Sequence, residues 1–235
     1  MKRPATDAFQ SFTIFSAEHG TLLVLQTARE LGVRRFVHAS SSSVYGGAAP
    51  LPTPEDAPLR PRSPYAVSKL AAEEYCRVFA ELYGLETVAL RYFNVYGPRQ
   101  RPDATYAAVI PLFVDALLNG RAPLVHGDGL QSRDFTFVSD VVDANLAAAR
   151  APADACGGRV YNIAAGNEST LLDILRVLGE LLGVEAAPEF IDPRPGDVRR
   201  SRADARAAAR DLGFRAAVAL DAGLRRTVDW LRSLG

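Results

Sequence analysis

The chain has 235 residues, of which 48% are hydrophobic and 23% charged, a balance typical of soluble globular proteins. Its 27 basic residues equal its 27 acidic residues, so no net field is expected to attract nucleic acid or an anionic membrane. No apolar run approaches the roughly 18 to 20 residues of a membrane span, and the start lacks the apolar stretch of a signal peptide. We therefore expect a cytoplasmic protein whose partner is a small molecule.

From Gly20 onward, helical patterns alternate with short β-rich runs, which predicts an α/β fold with a parallel sheet and crossover helices. The proline-rich run 50–64 predicts a loop that ends in an N-cap, Ser63, and a proline at the first helical position. The predicted elements are, in chain order, helix 21–31, strand 35–40, helix 64–83, strand 87–93, helix 109–119, strand 134–138, helix 139–150, strand 159–163 and helices 169–182, 202–212 and 220–234.

Cysteine and histidine are sparse. Cys76 and Cys156 are far apart and lack the C-x-x-C spacing, so we expect reduced thiols that pack in the core. The three histidines are scattered singly, and no cluster has the spacing of a zinc or iron site. The sequence therefore predicts no metal.

Two patterns indicate chemistry. Tyr65 and Lys69 are four residues apart in a predicted helix, so their side chains share one face. A nearby ammonium favours the phenolate form of a tyrosine, which would make the pair a general base for a hydroxyl proton. Upstream, the serines 40–43 follow a predicted strand, at the sheet edge where open α/β sheets bind ligands. Alone, either pattern is more common in ordinary packed helices and polar loops.

A larger set of motifs occurs along the chain in a fixed order. They are Gly20-Thr21, ASSSSVYG (39–46), SPYAVSK (63–69), RYFNVYGPRQ (91–100), YAAVIP (106–111), GDG (127–129), SRDFTFVSDV (132–141), YNIAAG (161–166) and RPGDVRRSRAD (194–204). In order and spacing they resemble the NAD-dependent nucleotide-sugar 4-epimerases of the extended short-chain dehydrogenase/reductase type. The resemblance covers the chain from about Gly20 to its C-terminus.

The resemblance implies a partial Rossmann-type doubly wound parallel sheet, lacking its first βαβαβ, with a smaller α/β substrate domain. Residues 1–97 and 132–153 would form the NAD-binding part, and 98–131 with 154–235 the substrate-binding part. The cofactor implied is NAD, and the partner is a nucleotide sugar, with UDP as the expected nucleotide. In such proteins the helix that carries the residue matching Tyr65 commonly joins a homodimer.

The resemblance also implies residue roles. Tyr65 would be the catalytic base, Lys69 would tune it and bind the nicotinamide ribose, and Ser41 would contact the reacting sugar oxygen. Ser40 and Tyr92 would lie on the cofactor side. The implied reaction is a transient oxidation at C4, in which NAD takes the hydride, the 4-keto sugar turns over, and the hydride returns to the other face.

On the substrate side, the resemblance assigns Arg133 and Arg194 to the diphosphate, a role suited to a planar and permanently charged donor. Ser201 would be a gate beside the C2 substituent of the sugar, and its small size favours a UDP-N-acetylhexosamine while still fitting a UDP-hexose. The remaining implied substrate residues are Ser43, Asn94, Val109 and Asp197.

Two alternatives remain open. Dehydratases and decarboxylases of the same architecture typically carry acidic residues at the positions of Ser42 and Ser43, so the two serines favour an epimerase. A degenerate protein that binds a nucleotide sugar without turnover is the other alternative.

One expected element is missing from the sequence. A Rossmann domain binds the pyrophosphate of its cofactor at a glycine-rich turn after the first strand, yet no glycine precedes Gly20, and the asparagine usual shortly before Gly-Thr is replaced by Ala17. We therefore expect the first βαβαβ to be absent, strand 35–40 to be a bare sheet edge, and this chain alone to be inactive. A misassigned start codon, a truncated paralogue or a fragment completed by another chain would each give this sequence.

Overall fold

A computed structural model describes residues 6–47, 49–103, 108–194 and 197–234, with side chains described from Glu18 onward. Seven helices in these ranges are α1 (Thr6–Glu30), α2 (Pro64–Tyr83), α3 (Val109–Leu118), α4 (Val138–Arg150), α5 (Leu171–Leu182), α6 (Arg206–Asp211) and α7 (Leu220–Arg232). The strands are β1 (Arg35–Ser41), β2 (Glu86–Tyr92), β3 (Val95–Tyr96), β4 (Leu124–His126), β5 (Ser132–Arg133), β6 (Thr136–Phe137), β7 (Arg159–Ile163), β8 (Ser169–Thr170) and β9 (Glu189–Ile191).

A three-stranded parallel sheet organises the first part of the fold, in the order β1-β2-β7. This arrangement confirms the predicted α/β class with parallel strands. In the described part of the chain β1 pairs only with β2, so among these residues it is an edge strand. Its residue Ala39 is exposed although it lies between the buried His38 and Ser40.

Helix α2 has the ends that the sequence predicts. The Ser63 side chain accepts a hydrogen bond from the Ala66 N–H, and Pro64 follows at a position where no N–H is needed. Gly84 ends the helix at φ +68°, in the left-handed region that glycine adopts without strain. The helix packs against α1 through a small apolar cluster that includes Leu25, Cys76 and Phe79.

Three element predictions were wrong. Helix α1 begins at Thr6 rather than at residue 21, and of the strand predicted at 134–138 only the two residues of β6, Thr136–Phe137, are in a strand. The helix predicted at 202–212 is only Arg206–Asp211, because the preceding residues hydrogen-bond to other segments: Arg202 O accepts from Thr53 N–H at 2.8 Å. Strands β4 and β9 were not predicted, since three residues are too few for an alternation signal.

Two of the apolar clusters contain most of the buried core residues. One lies among α3, α5 and α7, and the other lies between the sheet and α4 with α6. The predicted boundaries at 97, 131 and 153 stay a prediction. Strand β7, which they assign to the substrate part, pairs with β2 in the parallel sheet.

Candidate active site

Serines 40–43 lie where β1 ends, and each hydroxyl has a different environment. The Ser41 hydroxyl oxygen accepts from the Ser43 N–H at 3.2 Å, which begins a 3₁₀ turn over Ser42–Tyr45. The Ser43 hydroxyl is buried and has no hydrogen-bond partner in the described part of the chain. The Ser40 hydroxyl donates to the Glu73 carboxylate and is buried. Ser41 and Ser43 thus offer hydroxyls to a ligand, whereas the Ser40 hydroxyl is already hydrogen-bonded to Glu73.

Tyr65 and Lys69 are in the first two turns of α2, beside the end of β1. Tyr65 is 43% exposed. The Lys69 ammonium lies 5.8 Å from the centre of the Tyr65 ring and donates to the Ala39 carbonyl at 2.8 Å. Burial lowers the pKa of Lys69. An ammonium has three N–H donors, so two remain for a cofactor hydroxyl after the bond to Ala39.

A cavity of about 880 Å³ brings most of the predicted residues together. Segments more than 100 residues apart in sequence line it, including the end of β1, the start of α2 and the loop that ends at Ser201. The predicted site residues around it are Ser40, Ser41, Ser43, Tyr65, Tyr92, Asn94, Arg133, Asp197 and Ser201.

Val109 and Arg194 line an adjoining cavity of about 300 Å³. The two cavities share Asn94, Val95, Arg133 and Asp197, so these four residues lie at their junction. The site is therefore one groove: hydroxyl-rich at the Tyr65 end, charged in the middle and largely apolar at the Val109 end. Tyr106 and Ala107 of one predicted motif, and Pro195 and Gly196 of another, lie outside the described residues.

The groove junction carries a preformed ion pair. Arg133 donates to the Asp197 carboxylate and, at 2.9 Å, to the Ser132 carbonyl. Burial lowers the pKa of Arg133 and the Asp197 charge opposes that change, so the guanidinium stays charged. Beside it, Asn94 adopts φ 31° and its amide donates to the Asp134 carbonyl at 3.2 Å.

Tyr92 lines the larger cavity, but its hydroxyl donates to Asn145 Oδ1 at 2.9 Å and burial raises its pKa. Its side chain, like that of Ser40, is therefore held by the protein itself. Its role toward a cofactor, predicted from the resemblance, stays a prediction.

The sequence analysis missed three buried charged residues close to the site. Glu73 and Arg91 form a bidentate ion pair beneath the serine loop, with N–O distances of 2.9 and 2.7 Å. Asp134, next to Arg133, is fully buried. The sequence could have indicated Glu73, because this residue lies four positions after Lys69 and therefore on the same face of α2.

Within the described ranges, no three His, Cys, Asp or Glu side chains form a group that could hold a metal ion. Among the described helices, none combines the length and the apolar character needed to cross a membrane.

Comparison with known proteins agrees with this geometry. Residues 8–164 match the model of the NAD dependent epimerase/dehydratase family. A UDP-glucose 4-epimerase of Mycolicibacterium smegmatis is 42% identical over 215 residues, which cover 91% of this chain and 67% of that protein. A dTDP-glucose 4,6-dehydratase of Actinoplanes sp. is 37% identical over 218 residues, covering 91% and 65%.

Among solved structures, the UDP-glucose 4-epimerase of Thermotoga maritima with UDP-glucose superimposes with a TM-score of 0.90 at 36% identity, covering 96% of this chain and 72% of that one. The chain thus spans about two thirds of the length of the curated relatives it matches. The predicted Rossmann-type fold and the predicted family are confirmed. The chain belongs to the NAD-dependent epimerase/dehydratase family.

Proposed function

We propose that this chain carries the catalytic pair and the substrate groove of a UDP-sugar 4-epimerase. The observation that carries the proposal is the 880 Å³ cavity, in which Ser41, Tyr65 and Ser201 converge with the ion pair of Arg133 and Asp197. Hydroxyl groups suit a sugar, and a partly buried arginine suits a diphosphate. The similarity to UDP-glucose 4-epimerases supports the same substrate class.

Bound NAD would supply the hydride acceptor and donor for C4 of the sugar. Tyr65 would take the proton of the C4 hydroxyl as the hydride leaves and would return it in the reverse step, so no net oxidation results. Ser41 would donate to the C4 oxygen. Lys69 would stabilise the charged phenolate and would bind a ribose hydroxyl with its remaining N–H groups.

The other substrate contacts follow the groove. Arg133 and Arg194 would bind the diphosphate, with Asn94 donating beside them, and Val109 would contact the uridine end. Asp197 would keep the Arg133 guanidinium oriented. Ser43, whose buried hydroxyl has no partner among the described residues, would bind the hexose, and Ser201 would lie beside its C2 substituent.

A 4,6-dehydratase is the second candidate, and several relatives bear that name. Elimination of water from C5 and C6 requires a further acid and base near the sugar. Serines occupy positions 42 and 43 in this cavity, so the loop supplies no carboxylate there. That lining favours the epimerase.

The test joins these 235 residues to the preceding NAD-binding segment of a relative and follows conversion of UDP-glucose and UDP-N-acetylglucosamine to their 4-epimers. We expect conversion of at least one substrate. Release of a dehydrated keto sugar would contradict the epimerase proposal and support the second candidate.

In the same protein, Tyr65→Phe should abolish turnover while leaving the Kd for the UDP-sugar within about twofold, because it removes a proton acceptor and little contact area. Tyr83→Phe is the matched control, since Tyr83 lies on the same helix and is 45% exposed. Turnover by Tyr65→Phe at the level of Tyr83→Phe would show that Tyr65 is not the base.

We also infer a homodimer through α2 and its neighbour α1. The support is that Leu23 and Val24 on α1, and Val67 on α2, are each about half exposed. Light scattering of the purified protein tests it: a monomer at micromolar concentration would contradict it.

A further inference from the structure

Asp134 is a fully buried carboxylate held by backbone donors. Its oxygens accept from the N–H groups of Ala165 and Gly166 at 3.1 Å and from that of Ala203 at 3.1 Å. In the part of the chain that the structure describes, no lysine or arginine forms an ion pair with it. Asp134 lines neither cavity of the groove.

The segments that meet at Asp134 are those that carry the proposed substrate contacts. Arg133 directly precedes Asp134 in the chain, and the main-chain carbonyl of Asp134 accepts from the Asn94 amide at 3.2 Å. Ala203 lies two residues after Ser201. Residue 134 therefore connects the two ends of the groove: its main-chain carbonyl binds Asn94 at the diphosphate end, and its side chain binds Ala203 near the sugar end.

The segment around Ser201 belongs to no helix and no extended strand, so individual contacts set its position. Isolated bridges join Arg200 to Ser132 and Ala203 to Thr53, the Arg202 carbonyl accepts from the Thr53 N–H at 2.8 Å, and Arg200 forms an ion pair with Glu168. Ser201 N–H donates to the Ser132 carbonyl at 3.1 Å. The bond from Ala203 to Asp134 has an ionised acceptor, which makes it stronger than bonds between neutral groups.

We propose that Asp134 is a positioning residue that sets the affinity for the UDP-sugar by holding Asn94, Arg133 and Ser201 in one geometry without touching the ligand. This inference rests on the proposed function. Replacement by asparagine would substitute an NH₂ group for one oxygen and leave at least one buried N–H without an acceptor. The freed segment would then be displaced from the groove.

Asp140 provides a matched control. It is also buried, and its carboxylate also accepts from two backbone N–H groups, those of Ala217 and Val218 at 3.2 Å. These donors precede α7, and Asp140 lines no part of the groove. Asp140→Asn should therefore lower the stability of the fold without changing the substrate geometry.

The experiment is calorimetric titration of the full chain with UDP, which needs no cofactor and no turnover. We expect Asp134→Asn to raise the Kd about tenfold or more with the stoichiometry per folded molecule unchanged. Asp140→Asn should keep the Kd within about twofold of wild type. A wild-type Kd in Asp134→Asn, or an equal rise in Asp140→Asn, would overturn the inference.

If Asp134→Asn does not fold, amide hydrogen exchange of the wild-type chain tests the inference instead. We expect UDP to slow exchange at Ala165, Gly166 and Ala203 and to leave Ala217 and Val218 unchanged. Binding of UDP with no added protection at the first three would overturn the inference and leave the proposed function standing. Absence of UDP binding by the wild-type chain would contradict the proposed function and this inference with it.

Discussion

His38, on the edge strand β1, is buried, and its Nε2 has no hydrogen-bond partner among the described residues. Burial, with a smaller contribution from the Lys69 charge, lowers the pKa of His38 from 6.5 to about 4. Between these values the unfolded chain binds more protons than the folded one. The contribution of His38 to stability is therefore complete above pH 6.5 and is lost as the pH falls toward 4.

The prediction is that wild type loses about 2 kcal/mol more unfolding free energy than His38→Leu between pH 7.5 and 4.5. The comparison with the variant is needed because burial also raises the pKa of Asp134 to about 6. That shift increases the stability of the fold as the pH falls, which is opposite to the effect of His38. Urea unfolding at both pH values measures it. His126→Gln is the control, because His126, the last residue of β4, is partly exposed. Equal pH dependence of wild type and His38→Leu would refute the assignment.

Ser201 is expected to decide which sugars the completed protein accepts. A tyrosine there would occupy the space of an N-acetyl group, so Ser201→Tyr should lower kcat/KM for UDP-N-acetylglucosamine at least about tenfold more than for UDP-glucose. Steady-state kinetics on both substrates measure the ratio. Ser233→Tyr, on an exposed residue after α7, is the control. An equal loss on both substrates would show that Ser201 is not the gate.

At the scale of elements, α2 is fastened to the sheet by a buried polar network. Glu73 accepts from Arg91 on β2 and from Ser40 on β1, and Arg91 also donates to the Tyr45 hydroxyl at 2.8 Å. The pair is 3% and 4% exposed. Together with the bond from Lys69 to Ala39, this network fixes the first turns of α2 relative to the serine loop.

Glu73→Gln should therefore cost about 3 kcal/mol of unfolding free energy, because it leaves the Arg91 charge buried and uncompensated. Glu74→Gln is a closely matched control: the neighbouring glutamate pairs with Arg77 at the surface, where the pair is about half exposed. That change should cost less than about 1 kcal/mol. Urea denaturation of both variants gives the difference, and similar losses would contradict a structural role for the buried pair.

At the scale of the molecule, these residues supply the substrate groove but few groups for a cofactor phosphate. Within the described residues, β1 has one free edge, and the chain has no glycine-rich turn before Gly20 to hold a pyrophosphate. The proposed substrate contacts of the groove, in contrast, all lie on this chain.

We therefore predict that these 235 residues, expressed alone, bind UDP but neither retain NAD nor epimerise a UDP-sugar, because the N–H groups that bind the cofactor phosphates belong to the first strand-turn-helix. Calorimetric titration with NAD measures this, with the form joined to a relative's NAD-binding segment as the control. Tight NAD binding by the 235 residues alone would contradict the prediction. If the protein joined to a relative's NAD-binding segment folds but shows no activity, the result would favour a degenerate protein that binds a nucleotide sugar without turnover.

Local sequence alone determined α2, the parallel strands and the pairing of Tyr65 with Lys69 on one helix face. These features depend on neighbours within a few residues: a cap, a stop glycine and a four-residue spacing. The ordered motifs likewise identified the family before any geometry was known.

Only the tertiary structure decided how the groove is built. The junction of Asn94, Arg133 and Asp197, and the attachment of Ala203 to Asp134, join residues separated by up to about 100 positions, which no local periodicity encodes. The same holds for segment 202–205, whose alanines and charges suit a helix but whose backbone bonds to Thr53 and Asp134 instead. A buried carboxylate with several N–H groups to accept outweighs a helix propensity of a few tenths of a kcal/mol per residue, and only the folded chain brings those groups together.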